Sequence, residues 1–427
     1  MAATRSRTTE DDVPTTLTYT ATRRSAHAGY VVQAIVNNLA PLLFVVFHTS
    51  LDVPVAQLGA LAALNFGVQL LTDLAAVRVV DRVGYRRPLV LAHVLAALGL
   101  VLLAVLPLLL PSPFVGLCLA VVVYGVGGGL LEVLVSPVVE HLPSPSEAKA
   151  TGMAIAHSFY CWGQLAVVVV TTALLAVLGT DLWPLLPVLW ALVPLANLVV
   201  LLRVPMPATV PDEHRTPLRS LFGTPLFLAA LVLMTTGGAA ELTMAQWSSF
   251  FAEQGTGVPK EVGDLLGPGL FALLMGLGRA AYGLWGQGVP LRPLLAASGA
   301  AAAACYVVAA TASVPVVSLV ACALCGLAVA LLWPGTFSLT SARFPLGGAA
   351  MFAVLALAGD AGGTVGPLAA GLLAELGDGP LAGLASALPP DSGTGLRTGL
   401  LLSAAVPVVF AATILTTGRD RRRTTAA

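Results

Sequence analysis

Twelve apolar runs, each about as long as the 20 residues an α-helix needs to cross the hydrocarbon core of a bilayer, follow one another along this chain with short connections. They fall at 28–48, 55–77, 88–110, 113–138, 150–179, 183–202, 225–251, 262–285, 290–311, 314–337, 349–373 and 398–416. Nothing else constrains the fold as strongly, because a backbone in lipid must satisfy its hydrogen bonds internally and a helix does so within each segment. The composition points the same way: 427 residues, 57% hydrophobic and 10% charged, with a mean hydropathy of +0.90. The expected class is an all-α membrane protein with twelve transmembrane helices.

Lys and Arg near helix ends are retained on the cytoplasmic side. Of the 21 Lys and Arg residues, only Lys260 and Arg397 fall on the opposite side of this topology, so both termini are expected in the cytoplasm of a multi-pass protein of the cell membrane. Residues 1–26 read as a disordered polar tail without a signal-cleavage site, and 418–427 as a basic tail. The five cysteines lie inside predicted helices, where packing explains Cys322-x-x-Cys325 better than a disulfide or a metal site.

Between the second and third runs stands Asp81-Arg82-Val83-Gly84-Tyr85-Arg86-Arg87, expected to be a tight charged loop. The longest cytoplasmic connection, Pro-rich and charged at 204–223, divides the chain into bundles at 27–203 and 224–417. The two parts repeat weakly: residues 80–89 align with 285–294, Phe66 with Phe271, and Leu130-Leu131-Glu132 with Leu331-Leu332-Trp333. Parallel six-helix repeats with a midplane site between them are the architecture of major facilitator transporters.

The charged loop also resembles that superfamily's signature G-x-x-x-D-R-x-G-x-R-R, although Val77 stands where the first Gly is expected. Gly127-Gly128-Gly129-Leu130-Leu131-Glu132 and Gly237-Gly238-Ala239-Ala240-Glu241 with Trp247 are similar to patterns of the fucose-permease-like sugar:proton symporters. The resemblance implies two pseudo-symmetric six-helix bundles, a functional carboxylate at Glu132, and a cavity lined by helix 7. Those symporters carry an acid in helix 1, where this chain has Asn37-Asn38, so a second protonatable group must lie elsewhere or coupling is absent. Gly362-x-x-x-Gly366-Pro367 resembles the antiporter motif of drug exporters, but it lies in helix 11 and not in helix 5.

An ionisable side chain at mid-bilayer costs about 2.5 to 3.5 kcal/mol, so each needs a partner, a watery cavity or a function. Glu132 and His157 lie at equal depth on consecutive helices, about 12 Å from the cytoplasmic surface at about 1.5 Å per residue. They form either a proton-coupling pair or a structural hydrogen bond between helices. Asp360, among the glycines of helix 11, and Glu241, in the outer third of helix 7, are further coupling candidates. Gln33, Asn37, Asn38, Tyr160, Gln164, Gln246, Trp247 and Trp333 are candidates for binding a neutral hydroxylated solute, since amides donate and accept while an indole packs on a sugar ring. Asp73, Asp81, Arg82, Gly84, Arg86, Arg87 and Arg279 are assigned to a cytoplasmic latch, with Arg279 close enough to the helix 8 end to snorkel.

The expected function is alternating-access transport of a small polar, sugar-like solute, coupled to protons in symport. The alternatives are a proton-antiport exporter of drugs or metabolites, or a non-transporting membrane sensor or scaffold. No nucleotide fingerprint, catalytic triad or metal-ligand cluster is present in the sequence, so the expectation is a non-enzyme without cofactor or metal. Its expected partners are solute, protons and the lipid bilayer, with no nucleic acid, for a monomer.

Overall fold

A computed structural model describes residues 17–53, 55–143, 149–208, 216–251, 265–375, 382–389 and 395–417. The first half contains α1 (Tyr19–Leu42), α2 (Phe44–Leu51), α3 (Val55–Val83), α4 (Arg86–Leu109), α5 (Pro113–His141), α6 (Lys149–Leu178) and α7 (Leu185–Leu201). After the short α8 (Leu218–Phe222) come α9 (Pro225–Phe250), a π-helical turn (Leu265–Gly269) leading into α10 (Leu270–Trp285), α11 (Leu291–Thr311), α12 (Pro315–Val329), α13 (Leu332–Arg343) and α14 (Gly348–Glu375). The short α15 (Ala382–Ala385) precedes α16 (Leu396–Ser403) and α17 (Ala405–Thr417). Among the described residues, nine helical stretches are long and apolar enough to cross a membrane, and Leu185–Leu201 is a shorter apolar helix. Spans one, ten and twelve are each built from two helices in series: α1 with α2, α12 with α13, and α16 with α17.

Two boundaries differ from the sequence reading. Helix α1 begins at Tyr19, inside the stretch expected to be disordered. Helix α3 runs through Asp81 and Arg82 to Val83, so the expected seven-residue loop shrinks to Gly84 and Tyr85. Asp and Arg are tolerated in a helix that emerges from the apolar layer; the chain turns at Gly84, whose φ of 80° is the left-handed region that only glycine enters freely. The repeated hairpin turns at Gly288, with φ 85°.

The end of the molecule carrying these hairpins, called the basic end below, is held in part by side chains bonded to backbone carbonyls. Arg86 donates to the carbonyls of Leu201 (3.0 Å) and Val204 (2.8 Å), capping the C-terminus of α7, where backbone carbonyls lack intrahelical donors. Deeper in the first half, Asn197 links the Ser25 carbonyl (3.0 Å) to His93 (2.7 Å), tying α7 to α1 and α4. The apolar core of the first half does not stop at its own helices. Phe337 of α13 and Ala349, Met351, Phe352 and Leu355 of α14 are buried in the same cluster as Leu89, Leu134 and Val138. The two halves are therefore closed onto each other at the basic end.

Candidate functional site

Between the halves lies a small cavity of about 80 Å³ lined by Tyr30, Gln33, Asn37, Phe66, Glu132, His157, Tyr160, Gly238, Glu241, Leu242, Arg279, Trp333 and Asp360. Glu132 and Trp333, mates in the sequence repeat, both reach this one space.

Local sequence explains how each wall is set. On α5, a Cβ added at Gly128 or Gly129 would press on Gln69 and Thr72 of α3, so these glycines seat α5 against α3 and bring Glu132, one turn on, to the cavity. Glu132 Oε2 accepts a hydrogen bond from Gln33 Nε2 of α1 at 2.9 Å. Asn37 Oδ1 accepts from Gln69 (2.7 Å) and Asn65 (3.3 Å), so the polar stripe of α3 holds the amide of α1 in place. Tyr160 receives the amide of Asn38 at 3.4 Å. In the second half, a Cβ at Gly238 would run into the Gly359 carbonyl, and one at Gly359 into the Trp333 ring. Close approach of α9 and α14 at these two glycines seats the indole and aligns Asp360 with the cavity. Gly362 and Gly366 pack against Thr235, Ala239 and Thr243 of α9, so the motif reminiscent of exporters is here a helix-packing seam.

Several residues sit elsewhere than the sequence suggested. Arg279 was placed near the basic end, free to reach solvent. It is instead 2% exposed, and its guanidinium meets both Glu241 oxygens at 3.2 and 3.0 Å. Counting along untilted helices misses both crossing angles and the reach of an arginine. Its Nε also donates to the Ala330 carbonyl at 2.8 Å. That carbonyl is free because the residue four positions on is Pro334, which has no N–H. A third contact crosses to the first half, where Nη1 donates to the His157 carbonyl at 3.3 Å and meets Cys161 Sγ at 3.2 Å.

Asp73, also assigned to the latch, lies 0% exposed inside the molecule, against Asp360. Glu132 and His157 line the cavity together but hold different partners. His157 Nε2 pairs with the Tyr30 hydroxyl at 2.8 Å and Ser136 at 3.2 Å. Gln164 and Gln246 lie outside the lining, and Gln246 is exposed. Trp247 packs on α14 and donates to the Pro367 carbonyl at 2.9 Å. Arg87 is exposed at the start of α4. The side chains of Asp81 and Arg82 lie outside the described residues, as does Lys260. Tyr30, Phe66 and Leu242 join the lining without having been singled out. Tyr30 had a legible signal, since it precedes Gln33 and Asn37 on one helical face at i, i+3 and i+7.

Across the described residues no group of His, Cys, Asp and Glu is arranged to hold a metal ion. The cavity has instead a bonded carboxylate, an ion pair, amides and several aromatic rings, groups that can bind a polar solute reversibly. A model of the Major Facilitator Superfamily matches residues 27–367. The chain belongs to that superfamily. No curated protein matches it. Among solved structures, the major facilitator transporter FucP in its outward conformation superposes with a TM-score of 0.75 at 16% identity, covering 93% of this chain and 99% of that one. The proton:xylose symporter XylE bound to 6-bromo-6-deoxy-D-glucose gives 0.76 at 14%, covering 93% and 95%. A bacterial homologue of the iron transporter ferroportin in an outward-facing state gives 0.68 at 13%, covering 92% and 98%. At such identities the likeness speaks for the fold: twelve helices in two six-helix bundles. As a major facilitator protein the chain is a multi-pass membrane transporter.

Proposed function

We propose that this transporter moves a small, neutral, hydroxylated solute together with protons, the basic end facing the cytoplasm. The observation that carries the reading is the Gln33–Glu132 hydrogen bond in the wall of a cavity that also presents the Trp333 indole. A carboxyl bonded to an amide and open to the cavity can exchange a proton with it. The indole face and the amide and phenol groups of Asn37 and Tyr160 supply the packing and the directional hydrogen bonds that a sugar-like ring needs. Glu241 is already held by Arg279, which leaves Glu132 and Asp360 as the cavity carboxyls that respond to protons. FucP and XylE, described as sugar:proton symporters, share the fold and lend support to this class of solute.

The test is uptake into vesicles from a panel of sugars and polyols with an imposed pH gradient. With one proton per solute, a gradient of one pH unit sustains about tenfold accumulation. Glu132→Gln is expected to keep solute counterflow while losing gradient-driven accumulation. Accumulation that persists unchanged in Glu132→Gln removes Glu132 from the coupling. If hydrophobic cations quench Trp333 while sugars are inert, the exporter reading replaces this one.

A further inference from the structure

Three carboxyl groups from different helices converge at one depth. Asp73 stands ten residues before the end of α3 at Val83, Glu132 nine before the end of α5 at His141, and Asp360 twelve after the start of α14 at Gly348. At about 1.5 Å per residue they lie within about 5 Å of each other along the membrane normal. In space, Asp360 is a direct side-chain neighbour of both Asp73 and Glu132. The surroundings are short of hydrogens. Both oxygens of Asp73, Oδ2 of Asp360 and Oε1 of Gln69, one turn before Asp73, are buried and receive no hydrogen bond from any N–H or hydroxyl among the described residues. Buried acceptors without donors are costly, and two carboxyl groups in contact bond to each other only while one of them carries a proton.

The pair also lies where the halves must part. Asp73 belongs to the first half and Asp360 to the second, and α14 packs along α3 where its first turns complete the first-half core. We propose that Asp73 is the second proton-carrying group of this transporter, sharing a proton with Asp360 across the interface so that the basic end stays closed only while that proton is present. Removing it leaves two anions in contact in a water-poor layer, and the halves separate. This accounts for the missing helix 1 acid: the second proton site has moved to α3, opposite the other half. The inference rests on the proton-coupled reading above.

Among the described side chains, no cation stands beside the pair. Helix α1 presents the neutral Asn37 and Gln33, α5 presents Glu132, and α9 presents Glu241, which is bound to Arg279. Arg78, Asp81 and Arg82 stand further along α3 toward its basic end, with Arg86 and Arg87 opening α4.

The test reads distance at the basic end without any solute. Nitroxides are attached through Arg203→Cys and Arg343→Cys, exposed positions in opposite halves, in the full chain in lipid nanodiscs, and their separation is followed against pH. The wild-type background is expected to lengthen as pH rises, whereas Asp73→Asn stays short throughout, because an amide donates to Asp360 at any pH. Asp360→Asn is expected to do the same from the other half, and Asp73→Glu to restore the pH response. A pH response in both Asn variants equal to the wild type overturns the proposal. So does closure that follows sodium concentration at fixed pH, which would make the missing ligand a metal cation. Failure of sugar uptake alone leaves the distance result intact, so the two readings fail separately.

Discussion

At the residue scale the strongest dependence is that of Glu241 on Arg279. A buried ion pair gains little over an apolar pair of similar size, but removing one member strands the other, at a cost of about 3–5 kcal/mol. Arg279→Ala should therefore lower thermal stability sharply. The double variant Arg279→Met with Glu241→Leu should recover most of the loss, as measured by unfolding in detergent. A double variant no more stable than either single one would show that the carbonyls of Ala330 and His157, and not the carboxylate, set the demand for the guanidinium. Arg279→Lys is expected to rescue poorly, because an ammonium cannot span Glu241, the Ala330 carbonyl and the His157 carbonyl at once.

At the element scale, α9 and α14 meet through glycine. Gly238→Ala places a methyl group against the Gly359 carbonyl, with backbone and not a flexible side chain in the way. Overpacking of this kind costs about 1–3 kcal/mol, and here it also shifts Trp333 and Asp360 at the cavity wall. The expected outcome is weaker solute binding together with a lower melting temperature, whereas Gly152→Ala, where a methyl group meets open space, should change neither. The cap on α7 makes a different prediction. Arg86→Ala leaves the Leu201 and Val204 carbonyls without this donor and should cost about 2 kcal/mol or less. Thermal shift should register that loss while the solute affinity of the protein that remains folded is unchanged.

On the scale of the whole molecule, the structure is closed where Phe352 and its neighbours enter the first-half core. The groove lined by His141 and Lys149 from one half and by Ser341 and Gly348 from the other runs along that seam. A flexible cross-link between His141→Cys and Pro345→Cys, an exposed position of the same groove, is expected to hold the seam shut and abolish transport, with recovery on reduction. Full transport by the cross-linked protein would rule out parting of the halves at this seam. The closed end and the cavity meet near Asp73 and Asp360, so a layer of carboxyl groups lies between the cavity and the closed seam.

Twelve helices in the major facilitator fold were legible in the sequence, because lipid imposes a local rule on every segment: an apolar length that hydrogen-bonds within itself. The shared faces of Gln33 and Asn37 on α1 and of His157 and Tyr160 on α6 were legible too, since spacings of three and four residues place side chains on one face whatever the tertiary structure. Which face meets which was not. Arg279 read as a residue near a helix end and became the partner of Glu241, while Asp73 read as part of a latch and became the neighbour of Asp360. Trp247 looked like a binding residue and packs on Pro367, while Trp333 reaches the cavity. These outcomes depend on crossing angles, on glycines that allow two backbones to touch, and on a proline that frees one carbonyl. The sequence of any single helix determines its own hydrogen bonds and its apolar length; the partners of its buried charges are set by the packing of the others.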